Sequence, residues 1–183
     1  VGAAAPPEIA RSIDKFLVAG ARAVDSEQRP WMALALGVLW EARCGLGAAL
    51  PDATRAALRA GLHSAEASDR VAYGLALGLI GDSSSEVHLY SCLGRGLQSA
   101  HRGTLLLALA LLQRRTNPGP DNNRIGELLA EGGLRHPVLA EGALALSAGN
   151  DAQTAQRLIA ILRHHPSSSA QAAAARALVH CDG

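Results

Sequence analysis

Arg29, Arg70 and Arg102 stand at matching places in a pattern that the chain writes several times, with Gln171 at the corresponding place near its end. On stacked helices such a row would set guanidinium groups roughly 10 Å apart along one surface. Two kinds of chemistry suit it. Each arginine can bond an acidic side chain, or the helix-end carbonyls, of the neighbouring unit and so form an internal ladder. Alternatively the row can hold an acidic partner segment, with Trp31, Tyr73 and His101 beside it as anchors, because Tyr, Trp and Arg dominate interface hot spots. In that second case charge reversal at Arg70 and Arg102 weakens partner capture while the helical signal persists. Trp31 and Trp40 also bound a wholly apolar run, which makes each a core candidate.

Other constellations offer less. His164 and His165 precede Pro166, but adjacent helical residues diverge by about 100°, so they cannot chelate one ion as an i, i+4 pair would. At a helix C-terminus a solvent-facing histidine is favoured by the dipole alone. His180 and Cys181 fail as a nucleophile–base dyad for the same geometric reason. Glu127 and Glu131 share a helix face, yet a carboxylate site needs a second set of ligands at matching spacing, and none is written. The serines of "GDSSSE" follow a helix, not the strand of a nucleophile elbow. "GLGAAL" at Gly45 lacks the third glycine of a dinucleotide loop and follows a helix where such a loop follows a strand, so it reads as a helix end and turn. No metal, cofactor or catalytic residue is expected.

The elements that would position these residues are helices. Apolar residues make up 49% of the 183, but aromatics only 3%, so Ala and Leu carry the hydrophobicity. Both favour helix, and an all-α chain follows. The formal charge of +1 gives no basic excess, which makes nucleic acid an unlikely ligand. Cys44, Cys92 and Cys181 are scattered and read as small apolar residues. The longest apolar runs fall short of the roughly 20 residues a membrane span needs, so no membrane partner is expected. With no export signal visible, a cytoplasmic setting is favoured. The preference for Arg over Lys, with abundant Ala, suggests a high-GC bacterial genome.

Three- and four-residue apolar spacing, broken by Pro, Gly, Ser and Asp, predicts ten helices. Pro6-Pro7 opens the first, which runs to about Val24, and Pro30 opens the second, ending near Gly45. Asp52 starts the third, Ser68 caps the fourth, and the serines before Glu86 cap the fifth. "HRGTLLLALALLQRR" is the sixth, and four more follow near 122–132, 137–148, 152–164 and 168–181. They pair as 6–45, 51–82, 83–114, 121–150 and 151–183. Each second helix carries a related string: Ala35-Leu36-Gly37, Ala76-Leu77-Gly78, Ala108-Leu109-Ala110, Ala145-Leu146-Ser147 and Ala177-Leu178-Val179. The third residue is small in most copies, a device for close helix approach. Such a pair cannot bury its apolar stripe alone and must stack on neighbours.

Asp69-Arg70-Val71, then Ala76-Leu77-Gly78 and Ile80-Gly81-Asp82, resembles the HEAT-like repeats first described in phycobilisome lyases. The pattern is sharp in that one copy; Val138-Leu139 and Ala170-Gln171 replace the Asp-Arg pair later. Tetratricopeptide repeats are the runner-up, lacking their large aromatic positions here. The resemblance implies a right-handed α-α superhelix, an α-solenoid of about five pairs in one domain, whose second helices line a concave face. Its implied function is non-enzymatic: a scaffold that binds a protein or peptide partner, acidic if the arginine row is used. The alternative is an enzyme on the same scaffold, either an alkylpurine DNA glycosylase or a chromophore lyase. The chain lacks an initiator Met and ends on a repeat-ending motif with a strongly apolar last helix. This predicts a fragment of a longer protein, with further repeats or self-association through the C-terminal unit.

Overall fold

In the computed structural model, residues 7–22, 27–64, 66–93, 99–116, 152–166 and 168–181 are described. Most of these residues are helical, joined by short turns, with no strand among them. The helices predicted near 122–132 and 137–148, with Glu127 and Glu131, lie outside them, as do the side chains of His180 and Cys181. The chain divides into two compact units, Val1–Ile80 and Gly81–Gly183.

The first unit holds α1 (Pro7–Arg22), α2 (Arg29–Gly45), α3 (Asp52–Ser64) and α4 (Ala67–Ile80). α1 packs on α2 and α3 on α4, and the pairs stack so that α2 lies along α4 and α1 against α3. The α2–α4 contact is much the more extensive, and a small residue explains why. A Cβ added to Gly37 would lie 2.6 Å from the Ala76 Cα, so only glycine lets the two backbones meet there.

The two pairs are copies displaced by 41 positions. Gly20 on α1 lies under Met32 on α2; Gly61 on α3 lies under Tyr73 on α4. In both, a glycine late in the first helix forms a recess for a large side chain of the second. Leu36, Leu58, Leu62 and Leu77 complete the buried centre, each removed from water at a gain of about 1.5–3 kcal/mol.

Helix ends follow the expected punctuation with two exceptions. α2 closes on Gly47 (φ +82°) in a Schellman arrangement, Gly47 N–H to Cys44 O at 2.9 Å and Ala48 N–H to Arg43 O at 3.0 Å. α4 ends at Ile80, before Gly81 (φ +71°). Ser68, expected as the cap of α4, lies inside its first turn, because the Arg70 N–H already bonds the Glu66 carbonyl at 2.9 Å. Nor do the serines before Glu86 act as a simple cap. Ser83–Ser85 form their own 3₁₀ turn, and the Ser85 hydroxyl donates to the Asp82 carboxylate, leaving no side-chain cap on the next helix.

That helix opens the second unit: α5 (Glu86–Cys92), then α6 (Ser99–Thr116), α7 (Ala152–His164) and α8 (Ser168–Cys181). α5 packs on α6, with Leu89, Leu105 and Leu109 fully buried. Gln113 Nε2 joins the two by donating to Glu86 Oε1 (3.2 Å) and Tyr90 OH (3.0 Å). α7 packs on α8 through Leu158, Ala174 and Ala177.

Candidate functional site

Of the candidate residues, Arg29 and Trp31 lie on opposite sides of α2, and the others lie on α4 and α6. Arg29, at the start of α2, points to α4: Nη2 and Nε lie 2.6 and 3.2 Å from Asp69 Oδ2. Both side chains are about one-fifth exposed, at 22% and 21%. The bond to Asp69 raises the Arg29 pKa still further above its ordinary value, against the opposing effect of burial. Its charge is thus met by the neighbouring pair, in the ladder arrangement. Gln171 differs at its own copy of the position: its Nε2 donates within its own pair, to the His165 carbonyl at 3.0 Å just past the end of α7. In sequence register, the place held by Asp69 is taken by Gln28 and His101 in the flanking copies.

Tyr73 is not an accessible anchor. It is fully buried, with its ring on Gly61 and its hydroxyl donating to the Ala21 carbonyl of α1. Burial pushes its phenol pKa up. Elsewhere in this core Asp14 joins three helices, accepting from Trp40 Nε1 at 2.6 Å and from Thr54 Oγ1 at 3.3 Å. Trp40 is a core residue at 6% exposure, with the Arg43 guanidinium stacked 4.8 Å from its ring centre. Arg70 is half-buried on α4, and His101 and Arg102 are half-buried on α6 in the second unit. Among the described residues the His101 Nδ1 is buried without a hydrogen-bond partner.

Trp31 is the exception to the core expectation. It lies two residues from Arg29, about 200° round the helix, and is 71% exposed. It borders a groove of about 540 Å³ between α1 and α2, lined also by Ile13, Leu17, Leu34, Ala35, Val38 and Leu39. Phe16 and Val38, at 65% and 53% exposure, extend the apolar surface. The sequence holds the signal for this groove in the run from Pro30 to Trp40, where every residue is apolar. A helix apolar all round needs cover on every side, and α4 and α1 cover only part of it.

The groove offers apolar contact and shape, with no charged or catalytic side chain among its described lining residues. Among the described residues no group of three or more His, Cys, Asp or Glu is placed to hold a metal ion. No described helix is long and apolar enough to cross a membrane. Cys44 and Cys92 are free thiols, half-buried. Neither the models of known protein families nor the curated protein sequences match this chain.

Proposed function

We propose that this chain is a non-enzymatic interaction module, an α-solenoid of HEAT-like helix pairs that holds a segment of a partner protein in the groove between its first two helices. The observation that carries the reading is the solvent-open apolar groove beside Trp31 on α2. An exposed aromatic at the edge of a contiguous apolar patch is the usual mark of a protein-binding surface. The solenoid part draws support from the 41-residue copy of the Gly20–Met32 recess at Gly61–Tyr73, and from second helices packed more closely than first helices. That spacing curves a stack toward the second-helix side. Arg29 is engaged by Asp69, so the preferred partner segment is an apolar-faced helix and not an acidic strand read by the arginine row.

Panning a displayed library of amphipathic helices, then measuring affinity for the selected peptide, tests this. Trp31→Ala or Val38→Asp is expected to weaken capture by about tenfold or more. Equal affinity for the wild type and both variants would place the binding surface elsewhere and overturn the reading.

A further inference from the structure

We infer that the α1–α2 groove is the seat of a symmetric homodimer, in which a second copy of this chain places its own α2 antiparallel across the first. This rests on the reading of the groove as an interaction surface and names its occupant. A two-fold interface requires one patch to carry both the protrusion and the hollow that receives it. This patch does: Trp31 and Phe16 stand out at 71% and 65% exposure beside a hollow of about 540 Å³. The outward stripe of α2 is Trp31, Ala35 and Val38, a large residue on each side of a small one. With the two-fold axis at Ala35, the small side chains allow the helix axes to close to about 8 Å. Trp31 of each copy then lies over Val38 and Leu39 of the other. The chain already uses a small residue for such close approach, where Gly37 of α2 meets Ala76 of the parallel α4.

Charge and area fit the same occupant. None of the described lining residues is charged, and the chain carries a formal +1, so two identical patches meet without appreciable repulsion. From the exposures of Trp31, Phe16, Val38 and Ile13, each copy offers roughly 450 Å² of apolar side chain. Two facing patches, with the partly exposed leucines, come to about 1,000–1,200 Å². That is the lower end for a specific interface, the size class of weak and transient association.

Sedimentation equilibrium on the whole chain, over about a hundredfold concentration range, reads the result as weight-average mass. The mass should rise from one chain of 18.9 kDa toward two. Tryptophan emission should shift to the blue in parallel, because Trp31 becomes covered while Trp40 is already buried. Val38→Glu should stay monomeric with its helical signal intact, and Val87→Glu, on the exposed surface of α5, should dimerise as the wild type does. If Val38→Glu loses its helical signal, Trp31→Ala replaces it. A wild type that stays monomeric throughout overturns the inference, as does a Val38→Glu protein that dimerises equally well. Peptide capture separates the two readings. A monomer that still binds the selected helical peptide through Trp31 keeps the groove as an interaction site and removes the second copy as its occupant. A monomer that binds none removes both.

Discussion

The pairs α1/α2 and α3/α4 are built on one plan, yet their second helices meet very different surroundings. In α4 the string from Ala72 to Ile80 is buried or half-buried at every position. In α2 the corresponding stretch is equally apolar, but Trp31 and Val38 stand in solvent. Trp31 corresponds to Ala72 and Val38 to Leu79, both half-buried. The difference teaches that apolar composition sets how much surface a helix must cover, while neighbours set which part is covered. A small Ala72 suits a crowded site. A tryptophan at the matching place would be costly there, and on α2 it instead extends an open surface.

The strongest test of the shared plan lies in the glycine recesses. Gly61→Ala would drive a methyl group into the Tyr73 ring, which is held by its hydrogen bond to Ala21 and cannot withdraw. A destabilisation of about 1–3 kcal/mol is expected in chemical denaturation. Gly20→Ala meets only Met32, with the Cβ 2.8 Å from its Cγ. Methionine is flexible, and alanine regains up to about 1 kcal/mol of helix propensity, so the net change should stay within about 1 kcal/mol. Equal costs at the two sites would break the claim that the occupant of the recess, and not the recess itself, distinguishes the pairs.

Tyr73 gives a smaller effect with a pH signature. Tyr73→Phe removes the hydroxyl and leaves the Ala21 carbonyl without that donor, at a cost of about 1–2 kcal/mol. Because burial raises the phenol pKa in the folded state, the folded form holds its proton more tightly than the unfolded chain does. That stability is complete below the unfolded pKa of about 10. It falls as pH rises from there through the raised folded value. The wild type should therefore lose stability above about pH 10 more steeply than Tyr73→Phe, a comparison readable from denaturation midpoints. Parallel alkaline limbs would show that the phenol does not titrate with folding. Met32, at the matching place in the first pair, has no such dependence.

Much of this arrangement could be read from residue order. Gly47 and Gly81 end helices because a left-handed backbone is open to glycine at little cost, a local rule visible in sequence. The Ala-Leu-small strings marked the second helices, and Gly37 against Ala76 shows the physical use of the small residue. The rest depended on contacts remote in sequence. The Tyr73 hydroxyl reaches a carbonyl 52 residues back, and Asp14 bonds partners 26 and 40 residues on. No local pattern announces such partners. The two tryptophans flank the same apolar run, and only the positions of α1 and α4 decide that Trp40 is covered and Trp31 is not. Likewise Ser85 stands before α5 without capping it, because its hydroxyl donates to Asp82, three residues back, in a turn of its own.

The ladder contact is expected to be weaker than either core feature. Arg29 and Asp69 are partly exposed and their charges are screened by water. A double-mutant cycle with Arg29→Ala and Asp69→Ala should give a coupling of about 0.5–1 kcal/mol, reduced by added salt. A coupling near zero would leave the join between the pairs to apolar packing alone.

The smallest effect on folding should come from the outer face, and there smallness is itself the informative result. Val38 lies one residue beyond Gly37, about 100° round the same helix. Gly37→Ala should damage the α2–α4 seam, because its Cβ would fall 2.6 Å from backbone that cannot yield. Val38→Glu places a charge at a position 53% exposed, where surface changes typically stay within about 0.5 kcal/mol. If α2 has one face for folding and another for binding, these neighbouring substitutions must separate the two properties. Gly37→Ala should lower the denaturation midpoint, and Val38→Glu should keep the midpoint but abolish association. A Val38→Glu protein as unstable as Gly37→Ala would mean that the outer face already has a structural duty within the chain, and the contrast between the two faces of α2 would fall.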